Sequence, residues 1–238
     1  VIIALAASLI FACEEEETPT PKPPANKYQS GVLISNEGVF QTGSGTLSFY
    51  SRDSKAIANE IFLEENGVPV GNILQSVAQV GNSVYLVVNN SQKIVVADAG
   101  SMVQKAVING FQSPRYFHAV SADKAYVTDW VNNTVAVVNL KTNTISKTIA
   151  VGSGPENMAQ IGSSVLVTNS GGFGVDSTIT IINSLTDEVT GTFVVGPNPN
   201  SIQIDVNGNI WILCAGITDF VNPANDVPGK LLQVDRTN

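Results

Sequence analysis

A short strand motif ending in Asn or Asp returns along this chain at a spacing near 40 residues, and no other feature restricts the fold as much. Tyr126-Val127-Thr128-Asp129 recurs as Leu166-Val167-Thr168-Asn169, 40 residues on. Leu86-Val87-Val88-Asn89 stands 40 residues before Asp129, Leu33-Ile34-Ser35-Asn36 another 53 before that, and Trp211-Ile212-Leu213-Cys214 ends 45 after Asn169. A fixed period of this length means that one supersecondary unit is copied and stacked, so it has to be read before any single element.

Within the period the apolar residues come in short runs, TVAVVNL, TISKTIAV and NMAQI, separated by Asn, Gly, Pro and Ser. That alternation belongs to strands rather than helices. Four short antiparallel strands in about 40 residues make the blade of a β-propeller, and the expected fold is therefore all-β with four to five blades present. The second blade is expected over residues 73–109, the third over 115–151 and the fourth over 157–195. The first begins with its second strand at 31–36, lacks an inner strand, and takes its outer strands from 46–50 and 56–62, with 64–71 as a connection. The fifth opens at Ser201, turns at Asn207-Gly208, and has its third strand at 230–235. Propellers remove sheet edges by closing a ring, so an array that starts and stops in mid-blade reads as a fragment of a larger, seven-bladed ring.

Composition suits that reading. Charged residues make up only 13% of the 238, Gly is frequent, and the net charge is −8, of which Glu14 to Glu17 supply four. Nucleic acid is not an expected partner, since its phosphates would call for a basic stripe. Residues 1–12 are an apolar run too short to span a bilayer, and they read as the tail of a secretion signal. Residues 14–26, EEEETPTPKPPAN, hold no core-forming side chain and read as an extended spacer, so 13–30 is a tether and 31–238 the incomplete propeller.

The blade plan sorts the loops by face. Strand direction alternates, so the loop leading into each first strand and the loop joining second to third share one face. On that face the connections are long and uneven: NEGVFQTGSG, NNSQ, DWVNN, NSGGFGVDS and AGITDFVNPANDVPG. The opposite face has compact turns such as VGNS, SADK and IGSS. Length beyond what a turn needs is where a rigid scaffold usually carries function. The candidate ligand-binding residues are therefore Asn36, Glu37, Asn89, Asn90, Arg115, Tyr116, Asp129, Trp130, Glu156, Asn157, Asn169 and Asn198. The recurring Asn and Asp also suit strand-end capping, the preferred role for any single Asn. Arg115, Tyr116, Glu37 and Trp130 are not demanded by the repeat, and binding is their expected role.

Catalytic and metal chemistry find little here. His118 is the single histidine, so a multi-histidine metal site cannot form, and within RYFHAV it reads as a packed core residue. No C-x-x-C-H occurs for covalent haem, and Cys214 in WILCA reads as a buried small hydrophobe without a disulfide partner. Gly152-Ser153-Gly154-Pro155 leads into a strand and so lacks the helix N-terminus of a phosphate loop. Asp219, Asn222, Asn225 and Asp226 match no Ca²⁺ loop spacing. No enzyme, cofactor or metal is expected; a lyase-type propeller would need an acid/base pair that these residues do not display.

Several of these stretches resemble known families. Ile10-Phe11-Ala12-Cys13 resembles the lipobox of bacterial lipoproteins, which implies lipidation of Cys13; an ordinary signal peptide is the alternative. The acidic run after it resembles the signal that sends Bacteroidota lipoproteins to the outer face of the outer membrane. YVTD, VAVVNLKTN, IAVGSGPE and LVTNSGG, with SNEG, SPRY, PEN and NPNSI, resemble the YVTN or YncE-like β-propellers over about residues 31–236, and within them the lipid-anchored Bacteroidota members. One branch of these is similar to the surface cobalamin-binding propeller that caps a TonB-dependent transporter. The resemblance implies a lipid-anchored, surface-exposed outer-membrane protein that takes a nutrient such as a corrinoid through loops on one face and hands it to a transporter. The alternative is a scaffold that binds a protein partner and no small ligand.

Overall fold

The structure is a computed structural model that describes residues 26–234. Five antiparallel sheets follow one another along the chain as five blades of a β-propeller. The first holds β1 (Gly31–Asn36), β2 (Thr46–Ser51) and β3 (Ile57–Ala58), and is followed by the helix α1 (Ile61–Asn66). The second holds β4 (Leu74–Val80), β5 (Ser83–Val88), β6 (Lys93–Asp98) and β7 (Gln104–Ile108). The third holds β8 (Pro114–Ala119), β9 (Lys124–Asp129), β10 (Thr134–Asn139) and β11 (Thr144–Ala150). The fourth holds β12 (Pro155–Ile161), β13 (Ser164–Asn169), β14 (Thr178–Asn183) and β15 (Glu188–Val194). The fifth holds β16 (Pro199–Ile204), β17 (Ile210–Cys214) and β18 (Lys230–Val234).

Burial follows position within the blade. The middle strands β5, β9 and β13 are buried almost along their length, because a neighbouring sheet covers each of their faces. Their β-branched and aromatic composition fits that two-sided packing. The outer strands β11 and β15 are largely exposed. The hydrophobic core is accordingly split into four clusters, one between each pair of successive blades. Between the second and third blades Tyr85 stacks on Phe117 with ring centroids 4.3 Å apart.

One expectation changes. Residues 56–62 do not form one outer strand: β3 stops at Ala58, and α1 turns Ile61 and Phe62 inward to 0% and 2% exposure against the first two blades. Packing of that pair outweighs the strand preference of the segment, and Gly67 ends the helix in the left-handed region with its N–H bonded to Leu63. The first and fifth blades show three strands each among the described residues, as expected from a first blade without its inner strand and a fifth read as far as its third. Cys13 and most of the tether lie outside the described residues.

Register fixes the two faces. Leu74 pairs with Val88, Pro114 with Asp129, Pro155 with Asn169 and Pro199 with Cys214, so each first strand starts where the second ends. Asp129 and Asn169 thus lie on one rim, the loop face, and the short turns lie on the other, the turn face. A β-bulge follows the first residue of β4, β8, β12 and β16. Bulges re-aim the side chain they carry. The residues at these four equivalent positions are Gln75, Arg115, Glu156 and Asn200.

Candidate ligand site on the loop face

Three of those four bulge residues form a polar ladder across adjacent blades. Arg115 donates through Nε to Glu156 Oε2 at 3.2 Å and through Nη2 to Oε1 at 3.0 Å, while Nη1 bonds Gln75 Oε1. Gln75 Nε2 reaches Glu37 Oε1 at 3.3 Å, extending the ladder to the first blade. The ion pair is largely enclosed, with Arg115 and Glu156 side chains 19% and 7% exposed. Burial pushes the Glu156 carboxyl up, and the charge and hydrogen bonds of Arg115 act against it. The planar fork of Arg matches a carboxylate two bonds at a time, which makes this a two-point polar link between the third and fourth blades.

The Arg115 guanidinium also lies over the Trp130 ring, 4.4 Å from its centroid. Phe173 meets the same ring edge-on at 5.4 Å. Trp130 Nε1 is buried without a hydrogen bond of ordinary geometry, yet it lies near enough to Glu156 to favour the carboxylate. One face of Trp130 is therefore already covered by Arg115.

Above the ladder opens a pocket of about 650 Å³. Glu37, Gln75, Arg115 and Trp130 line it together with Asn89, Asn90, Gln92 and Gln112, and Phe40, Val131 and Phe173 stand at its rim. The loop after β1 is held in place: Asn72 donates to the carbonyls of Val39 and Gly43 and accepts from the Gln41 N–H, and Glu37 O accepts from Leu74 N. The loop after β13 is held by close backbone approach. A Cβ at Gly154 would fall 2.1 Å from Gly172 N, and Gly154 has φ 56°, so the loop carrying Phe173 needs glycine there.

Of the twelve residues singled out in the sequence, Glu37, Asn89, Asn90, Arg115 and Trp130 line this pocket, and Glu156 lies beneath it. The others have different surroundings. Asp129 is buried and accepts from the N–H groups of Gln112, Ser113 and Asn132. Asn169 donates to Thr178 and Thr180, Asn36 to Thr46 and Ser48, Asn198 to Gly216 O and Asn157 to Asn200 O. Tyr116 is half-buried, and its backbone N–H donates to Thr128 Oγ1 at 3.1 Å. Asn89 braces the strand start as well as lining the pocket, donating to Ser113 Oγ and Pro114 O. Gln75 and the two phenylalanines were not singled out. Gln75 was legible as the repeat equivalent of Arg115, one period earlier.

His118 is half-buried, shares a hydrogen bond with Gln160 at 3.2 Å, and burial pushes its pKa down. Cys214 is buried, and burial pushes its thiol up. Asp219 accepts from the Asn225 amide and from two backbone N–H groups, so that loop is braced from within. Among the described residues no group of three His, Cys, Asp or Glu is placed to hold a metal ion.

The family described as "Domain of unknown function (DUF5074)" matches residues 30–225. No curated protein matches the chain. Among solved structures the chain is similar to the WD40 β-propeller domain of Doa1, with TM-score 0.59 and 10% identity over 83% of this chain and 63% of that one. It is also similar to Kuenenia stuttgartiensis hydrazine synthase, with TM-score 0.54 and 17% identity over 65% of this chain and 47% of that one. The computationally designed Ika4 protein gives TM-score 0.51 and 16% identity over 68% of this chain and 91% of that one. The chain thus spans less than two thirds of the length of the first two. At these identities the likeness speaks for the β-propeller fold alone.

Proposed function

We propose that this chain, which belongs to the DUF5074 family, is a binding propeller that takes a small molecule in the loop-face pocket. One observation carries the reading: irregular loops from the first, second, third and fourth blades converge on a single cavity of about 650 Å³ whose floor is polar and whose rim is aromatic. Concave sites with a few placed polar groups and apolar walls are the usual form of small-molecule sites. A nutrient with a planar body and a polar fringe, such as a corrinoid, is the finer proposal, supported by the resemblance of SNEG, SPRY and NPNSI to lipid-anchored YVTN-type propellers, one branch of which is similar to a cobalamin-binding propeller. Binding without catalysis is part of the same proposal, because Arg115 and Glu156 are committed to each other.

Titration with a panel of corrinoids, followed by absorbance and thermal melting, tests the finer proposal. A shift in both supports it, and unchanged spectra with unchanged melting remove the corrinoid.

A second reading, docking of a protein such as an outer-membrane transporter, is favoured by the rim. Among the described residues the exposed phenylalanines are Phe40 (60%), Phe173 (98%) and Phe220 (93%), and all three sit on loop-face connections. Exposed apolar groups gathered on one face mark interaction surfaces. Anchorage through Cys13 to the outer membrane, at the cell surface, remains part of the proposal. The described chain begins on the turn face, where Tyr28 N bonds Gly100 O between β6 and β7.

A further inference from the structure

The charged groups around the pocket are not equally engaged. Arg115 and Glu37 are the charged residues that line it. All three nitrogens of the Arg115 guanidinium have partners, two on Glu156 and one on Gln75, and the flat of the ion rests on Trp130. Its charge is compensated before any ligand arrives. Among the described residues Glu37 makes no salt bridge, and its exposed carboxylate accepts one hydrogen bond, from Gln75 Nε2 at 3.3 Å, through Oε1. Its backbone is pinned to the second blade through Leu74 N, so the carboxylate is presented from a fixed point on the wall. Phe40, Trp130 and Phe173 complete the surroundings.

From this asymmetry we infer that the pocket selects an organic cation, an ammonium group on an apolar body, with Glu37 as its counter-ion and the aromatic rim around the body. The inference rests on the small-molecule reading of the pocket and adds the charge class. Physically, a carboxylate without a cationic partner favours a cation by direct charge attraction, and the exposed rings of Phe40 and Phe173 in the same pocket, which Arg115 does not cover, add the attraction of their negative faces. An anionic ligand would meet that carboxylate with no free cation to offset it.

The protein has two tryptophans, so Trp211→Phe leaves Trp130 as the single reporter. Titrating this variant with 2-phenylethylamine, 2-phenylethanol and 3-phenylpropanoate, which share one apolar body, isolates the charge. The amine should bind about 10-fold tighter than the alcohol, the carboxylate weakest, and Glu37→Gln should bring the amine and the alcohol to about equal affinity. If all three perturb Trp130 equally and Glu37→Gln changes nothing, the charge class is wrong while the pocket still binds small molecules. If none perturbs Trp130 or the melting temperature, the small-molecule reading fails and this inference fails with it.

Discussion

The two faces of the propeller use the same residue types for opposite ends. On the turn face, Asp98, Asn139 and Asn183 end the third strands of successive blades, and each accepts backbone N–H groups of its own turn. The turn is closed locally. On the loop face the repeat again supplies Asn or Asp, but the long-range polar contacts run between blades, from Glu37 through Gln75 and Arg115 to Glu156. A self-capped turn needs nothing from outside, whereas loops held by a shared ladder can leave a cavity between them. The turn face also has cavities, of about 480 and 390 Å³, but the loop-face cavity of about 650 Å³ is the one that the inter-blade ladder floors and aromatic side chains border.

The largest effect is expected where the ladder is broken. Arg115→Ala leaves Glu156 buried beside an aromatic ring with no counter-ion, and should cost about 3 kcal/mol in urea unfolding. Pairing it with Glu156→Gln should recover part of that loss, since the orphaned charge is removed. Wild-type stability in the single variant would show that the ladder does not join the blades. Loss of ligand binding in Arg115→Ala is therefore no clean test of a binding role.

A turn-face counterpart is nearly as large. Asp187 accepts from Lys124 Nζ at 2.7 Å and from the hydroxyl of fully buried Tyr126, tying the third blade to the fourth. Asp187→Ala should cost about 2 kcal/mol, mostly from the unpaired phenol, and Tyr126→Phe in the same background should cost little more. A full additional loss in the double variant would contradict the assigned contact. By contrast, Phe173→Ala on the loop rim should stay within about 0.5 kcal/mol of wild type while weakening whatever binds there. A large loss of stability with unchanged binding would move Phe173 from the site to the core.

The smallest effect concerns acid. Hydrogen bonds from Trp211 Nε1 and the Asn209 amide hold the Asp205 carboxyl at about 2. Because the folded value lies below the unfolded one, near about 4, the contribution is full above pH of about 4 and lost as pH falls through about 2. Trp211 fluorescence should change across that window in the wild type and not in Asp205→Asn. An identical titration in the variant would assign the change elsewhere.

Much of this was legible beforehand, and the omissions have physical causes. The period gave the blades and the separation of faces because register repeats with sequence. It also placed Glu37, Asn89, Asn90, Arg115 and Trp130 on the side where the pocket lies. The pairing of Arg115 with Glu156 was missed although both stand at the same blade position one period apart, where opposite charges on neighbouring inner strands are within reach. The helix α1 was missed because Ile57 to Phe62 has strand-like composition, and its conformation is decided by the cluster that buries Ile61 and Phe62. Trp130 was expected to bind, and a single sequence cannot show that Arg115 covers one of its faces, since that contact exists only in three dimensions.

Hydroxyl-radical footprinting in the presence of whichever corrinoid or phenylethyl compound binds tests the central claim most directly. The account predicts protection of Phe40, Trp130 and Phe173 on the loop face and none of Leu185 and Val206 on the turn face. Protection confined to Leu185 and Val206 would contradict it.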